Sequence, residues 1–213
     1  HPNGSKMLSL GYSPSFIHSL LLENEGQQGE ENNQGNQNQN QELDQQTQKL
    51  KQKIFNYFKE KYAKKIQEVA PIVAVSYAKA LQKDKEVADK YLKVITEGIE
   101  TLVDVLDSSL VGTDNIENLQ KVVEKLDLPV GSVTQKVTES LSFLNNGNNV
   151  LKTIENDIFK SSDENINFYP GITAAIEGRG VFRLGKKDYP LVKPGEEKPE
   201  DEAVDRVDSL LSK

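Results

Sequence analysis

The chain has 213 residues, a net charge of −7, 36% hydrophobic residues and 28% charged residues. It contains no cysteine, which excludes disulfide bonds, thiolate metal sites and cysteine nucleophiles. No apolar run approaches the roughly 20 residues of a membrane-spanning helix, so we expect no transmembrane segment.

The N-terminal part of the sequence is strongly polar. Residues 1–22 hold a short apolar patch, and we predict a short separate segment there. Residues 23–48 consist almost entirely of Glu, Asn, Gln, Gly and Asp, which cannot bury enough apolar surface to offset the entropy lost on ordering. We therefore predict a disordered linker over residues 23–42 and a helical domain over residues 43–213.

Two long helices are predicted from apolar residues that recur every three or four positions. The first begins at Leu43, and the second follows Asp84 and ends near Gly112. Pro71 is expected to kink a continuous helix or to begin a new one, because proline lacks a backbone N–H. The apolar face of the first helix consists of Leu43, Leu50, Ile54, Tyr57, Phe58, Tyr62, Ile66 and Val69.

Shorter helices are predicted from capping patterns. In residues 114–117, an acceptor side chain at the helix start is followed three residues later by Glu117. In residues 132–135, Ser132 is followed in the same way by Gln135. The run of asparagines over residues 145–149 tolerates a left-handed backbone, so we expect it to end one helix and to begin the next.

The C-terminal part is less regular. Residues 161–198 lack helical periodicity, and the short apolar runs at 172–176 and 181–184 either pair as a small β-hairpin or form a loop over the helices. A closing amphipathic helix is predicted from about Pro199. The sequence thus predicts a mainly α fold: a bundle of five to six helices, an irregular or hairpin segment near the C-terminus and a disordered N-terminal arm.

Catalytic signatures are scarce in this sequence. The two histidines, His1 and His18, both lie in the N-terminal region, and no nucleophile elbow, phosphate-binding loop or dinucleotide fingerprint is present. Neighbouring carboxylates such as Asp104 and Asp107, or Glu97 and Glu100, could share a cation, but a solvated helix face is the preferred interpretation. We predict a non-enzymatic protein without a cofactor or a bound metal.

Charge is concentrated in one part of the chain. Residues 49–93 carry twelve lysines and five acids, a net charge of +7 in a chain that is acidic as a whole. Four lysines interleaved with aromatic residues predict a contact surface for an acidic partner or, weakly, for an anionic membrane. The alternative is that the aromatic residues face the core and the lysines pair with acids elsewhere in the chain; nucleic acid is not an expected partner. The candidate binding residues are Lys59, Lys61, Lys64 and Lys65.

Two short motifs lie near the C-terminus. Residues 176–179 read Ile-Glu-Gly-Arg, a form that a coagulation protease cleaves, and residues 182–187 end in Gly-Lys-Lys, which is similar to a peptide-release signal. A glycine-rich turn flanked by solvated basic residues accounts for both motifs without any processing.

The functional expectation is a secreted, non-enzymatic binding or interaction protein built on a helical bundle. The alternatives are a carrier of small apolar ligands or lipids, and a peptide precursor or protease-interacting protein acting through residues 176–187. The glycosylation sequon at residues 3–5 favours export, and a start at His1 fits either a removed signal peptide or a cloning remnant. The other localisation consistent with the sequence is a soluble protein of the cytoplasm.

Overall fold

The structure, a computed structural model, describes residues 36–196. Three predictions lie outside the described residues: the N-terminal segment 1–22, the part of the linker over 23–35, and the closing helix from Pro199. The two histidines and the sequon at residues 3–5 also lie there.

Helices dominate the described chain, because 70% of its residues are helical and they form six continuous segments. The α-helices are α1 (Asn36–Tyr57), α2 (Lys64–Ala80), α3 (Lys85–Val111), α4 (Ile116–Asp127), α5 (Val133–Leu141), α6 (Gly147–Thr153) and α7 (Tyr169–Ile176). A first π-helical turn (Phe58–Ala63) joins α1 to α2 without a break. A second π-helical turn (Ile154–Ile158) continues α6. There are two antiparallel strand pairs in the described part of the chain. In the first, β1 (Lys160–Ser161) pairs with β2 (Ile166–Asn167), and in the second, β3 (Val181–Leu184) pairs with β4 (Lys187–Pro190). The predicted mainly α fold with five to six helices is confirmed.

The first helix begins at Asn36, seven residues before the predicted start at Leu43. Residues 37–44 are all exposed, and Leu43 itself has 46% of its surface exposed. This first part of α1 is polar on every side, so hydrophobic periodicity gave no signal for it. Residues 36–42, assigned to the linker from their composition, are therefore helical.

The capping predictions are confirmed with one shift of position. The Asn115 side-chain oxygen accepts hydrogen bonds from the amides of Glu117 (2.9 Å) and Asn118 (3.3 Å), so the cap of α4 is Asn115 rather than residue 114. The Ser132 hydroxyl accepts from the Gln135 amide at 3.1 Å and caps α5 as predicted. Each cap satisfies amides that have no partner within the helix.

The pairing of residues 172–176 with Val181–Leu184, one of the two alternatives for this part of the chain, does not form. Residues 172–176 belong to α7, whose start is favoured by Pro170 in its first turn. β3 pairs instead with β4 across a two-residue turn, in which Gly185 adopts φ +67°. A tight local turn provides β3 with a partner at a much lower entropic cost than a more distant segment.

Pro71 lies inside α2, which continues without interruption to Ala80. The chain leaves this helix through a turn in which Gln82 has a left-handed backbone, φ +56°. No helix among residues 36–196 is both long enough and apolar enough to cross a membrane.

The described residues form two compact units, each made of two stretches of chain. The first unit contains the chain up to Lys65 together with Ile99–Ile154, and the second contains Ile66–Gly98 together with the chain from Glu155. Buried aliphatic and aromatic side chains fill the first unit, and they include Ile54, Phe55, Phe58, Tyr62, Leu102, Leu106, Leu119, Val122 and Leu141.

Aromatic side chains make up much of the core of the second unit. The Tyr77 ring stacks on Phe182 with centroids 4.4 Å apart and meets the edge of Phe168 at 4.9 Å. The Tyr77 hydroxyl accepts a hydrogen bond of 3.0 Å from the backbone amide of Gly171, which lies in the first turn of α7. A side chain at position 171 would collide with the Tyr77 ring, so glycine is required there.

Two buried tyrosines in this unit have pKa values well above the usual value. Burial is the main cause for both Tyr77 and Tyr91, and a 2.5 Å hydrogen bond from the Tyr91 hydroxyl to the Glu164 carboxylate adds to the effect. A phenol with the usual pKa of about 10 is already protonated at neutral pH, and the raised pKa keeps these two protonated in more alkaline solution, so both act as hydrogen-bonding groups in the core.

The Tyr77 hydroxyl should be important for stability. Changing Tyr77 to Phe keeps the ring contacts but leaves the buried Gly171 amide without a partner, which costs about 1–3 kcal/mol. Tyr189→Phe is the matched control, because Tyr189 is half-buried as a residue and its hydroxyl makes no recorded hydrogen bond to residues 36–196. Urea denaturation should show a clear loss of stability for the Tyr77 variant and little change for the Tyr189 variant. Equal unfolding midpoints for the two variants would show that the hydrogen bond between Tyr77 and Gly171 contributes nothing to stability.

Candidate functional site

The four predicted lysines lie on the first π-helical turn and on the start of α2. Lys59 and Lys61 are within the π-helical turn, and Lys64 and Lys65 follow it directly. The Lys64 amide bonds to the Lys59 carbonyl five residues earlier, which is the spacing that defines a π-helix. We call these four residues the lysine surface.

Burial of the aromatic residues points the lysines outward. Phe58 and Tyr62 are each 1% exposed, whereas Lys61 and Lys64 are exposed and have no recorded ion pair with residues 36–196. Lys59 is half-buried, and this desolvation lowers the pKa of its ammonium group, while the nearby Glu60 acts in the opposite direction. The lysine surface thus consists of three exposed residues and one that is partly shielded.

Two other lysines of the same helix are engaged within the first unit. The Lys51 side chain is only 6% exposed, and its ammonium donates to the carbonyl of Val111 at 3.2 Å and lies 3.6 Å from Asp114. Val111 is the last residue of α3, so Lys51 caps that helix with a positive charge. Lys53 pairs with Asp127 at 2.8 Å, with both side chains more than half exposed.

These two lysines provide a matched pair for testing the cap. Lys51→Met keeps the aliphatic stem but removes the donor to Val111, and should lower the free energy of unfolding by about 1–3 kcal/mol. Lys53→Met breaks an exposed ion pair and should cost less than about 1 kcal/mol. Thermal or urea unfolding measures both, and a Lys51 variant as stable as the parent would refute the capping role.

The first unit also contains a groove that sequence reasoning did not detect. Its volume is about 340 Å³, within the range of about 300–1,000 Å³ that is usual for small-ligand pockets. One wall is a single face of α3 and the other is the loop that leads into α6. The lining residues are Thr101, Asp104, Val105, Ser108 and Ser109 on the helix, and Asn145, Asn146 and Val150 on the other side.

The loop that forms the second wall is held firmly in place. The Ser109 hydroxyl donates to the Asn145 carbonyl, and the Thr113 hydroxyl accepts from the Asn145 amide at 2.6 Å. Asn146 has a left-handed backbone, φ +55°, and Gly147 lies so close to the Leu141 carbonyl that a Cβ atom would overlap it. These contacts fix the two asparagines relative to α3.

Asp104 and Asp107, considered as a pair that could share a cation, lie in different environments in this fold. Asp107 is completely buried, whereas Asp104 is exposed at the groove. No cluster of three or more histidine, aspartate or glutamate side chains suited to a metal ion is found within residues 36–196.

The two short motifs lie around the end of α7 and in the second hairpin. The amide of Gly178 bonds to the Ala175 carbonyl (3.2 Å), and that of Arg179 bonds to Ala174 (2.9 Å). With Gly178 at φ +73°, this arrangement is a Schellman cap, so residues 176–179 are wound into the end of a helix. A protease that needs an extended substrate would have to unwind this cap.

Comparison of the chain with models of known families, with curated proteins and with solved structures finds no match. The functional proposal therefore rests on the geometry of the described residues.

Proposed function

We propose that this protein is a non-enzymatic binding protein that uses the lysine surface to contact an acidic segment of a protein partner. The observation that supports the proposal most is the exposure of Lys61, Lys64 and Lys65 on a helical stretch whose aromatic side chains are buried. Exposed charges contribute little to folding but strongly affect the rate and selectivity of association.

An acidic protein segment suits this surface better than a membrane does. A helix that lies in a membrane interface inserts an apolar face between the lipids, and its lysines only supplement that insertion. Here Phe58 and Tyr62 are buried within the protein and unavailable for insertion. The surface therefore offers charge without an apolar anchor, which favours a soluble polyanionic partner.

The test uses the full chain and poly-glutamate as a defined acidic probe. Changing all four lysines to Gln should weaken binding at low salt about ten-fold or more, and binding by the parent should fall as salt increases. Folding should be nearly unchanged, since three of the side chains are exposed. Titration by fluorescence anisotropy gives the affinities.

A control variant distinguishes the effect of the lysine surface on binding from the effect of the net charge of the protein. Changing Lys83, Lys85, Lys90 and Lys93 to Gln removes the same charge from exposed positions in the second unit. Equal weakening by both variants would show that net charge, and not the lysine surface, governs binding. Absence of poly-glutamate binding by the parent, or binding only to vesicles that contain phosphatidylserine, would overturn the proposal.

Export from the cell is part of the proposal, and its support is the sequon at residues 3–5. Protein isolated from its natural source should carry a glycan at Asn3, which intact-mass measurement would reveal; an unmodified Asn3 would remove this support. The apolar-carrier alternative is less well supported, because the lining of the groove combines two valines with the Asp104 carboxylate and several hydroxyl and amide side chains.

A further inference from the structure

The groove beside α3 has the composition of a binding site for a small cation. Its eight lining residues include the carboxylate of Asp104 and no basic side chain. Ser108 and Asn146 contribute further oxygen atoms that can accept hydrogen bonds, and neither side chain makes a recorded hydrogen bond to residues 36–196. A ligand with a positive charge and several N–H donors would match these groups, whereas an anion would be repelled.

Helical spacing brings the groups on α3 together. Asp104 and Ser108 are four residues apart and therefore lie on one face, one turn above the other. Val105 lies between them in sequence, and Val150 approaches from the start of α6, so two aliphatic side chains complete the groove. The polar groups suit an ammonium head, and the valines suit a short hydrocarbon chain.

The opposite wall of the groove, the loop around Asn145, is held in place by hydrogen bonds without a ligand. The Asn145 backbone is held on both sides by the hydroxyls of Ser109 and Thr113, which are themselves buried. The Thr113 hydroxyl also donates to the Ser109 carbonyl at 2.8 Å, which links the two anchors to each other at the end of α3. Because this loop is already ordered, a ligand would not have to supply the free energy of ordering it.

We propose that this groove binds a small aliphatic amine in its ammonium form. The ammonium donates to the Asp104 carboxylate and to the oxygens of Ser108 and Asn146, and the carbon chain lies against Val105 and Val150. This activity is separate from the lysine surface, which attracts ligands of the opposite charge.

The test is an NMR titration of the isotope-labelled full chain with 1,4-diaminobutane, compared with the neutral analogue 1,4-butanediol. The diamine should give saturable shifts of the Ser108, Asn145 and Asn146 amides, and the diol should not. Asp104→Asn should weaken diamine binding about ten-fold, because a charge-assisted hydrogen bond becomes a neutral one.

Asp89→Asn is the matched control, since it removes an exposed carboxylate from the same helix in the second unit. This variant and the four-lysine variant should both bind the diamine as the parent does. Three results would overturn the inference: equal shifts with the diol, shifts that spread over exposed acids without saturating, or unchanged affinity in the Asp104 variant. An unchanged spectrum away from the groove verifies that each variant is folded.

Discussion

Burial of Phe58 and Tyr62 is the constraint on which the lysine surface depends. Both rings are 1% exposed in a stretch where the helix widens into a π-helical turn. Because the rings must face inward, the lysines between and after them must face outward, whatever their electrostatic preference. A loss of aromatic burial costs several kcal/mol, whereas exposed charges contribute about 1 kcal/mol or less. The hydrophobic residues therefore decide the position of the charges.

The helices could be predicted from the sequence because their signals are local. Periodic apolar residues and the caps at Asn115 and Ser132 act within one or two turns, and the fold follows them closely. A strand is one of the alternatives for residues 172–176 because a short, mostly apolar run fits a strand as well as a helix. The π-helical turn left no signal in the pattern, since it adds one residue to a turn without changing the type of residue.

The groove could not be predicted because long-range contacts create it. The Ser109 and Thr113 hydroxyls reach Asn145, which is 36 and 32 residues further along the chain. In the sequence, the serines and threonines of α3 are indistinguishable from ordinary helix-surface residues. Residues 145–149 indicate only the end of one helix and the beginning of the next. Both interpretations are right as local structure. Only the folded chain brings the two features to the same place.

The first unit thus carries two polar features of opposite charge, and different physical forces fix them. The lysine surface results from packing on its reverse side, and its charge suits a partner that is recognised by charge. The groove results from hydrogen bonds that immobilise a loop, including an asparagine held at φ +55°, a conformation that asparagine tolerates better than most residues. Fixed polar groups favour recognition of a small ligand by geometry, because little conformational entropy is lost when it binds. The two proposals therefore assign different recognition criteria to one compact unit: charge at the lysine surface and geometry at the groove.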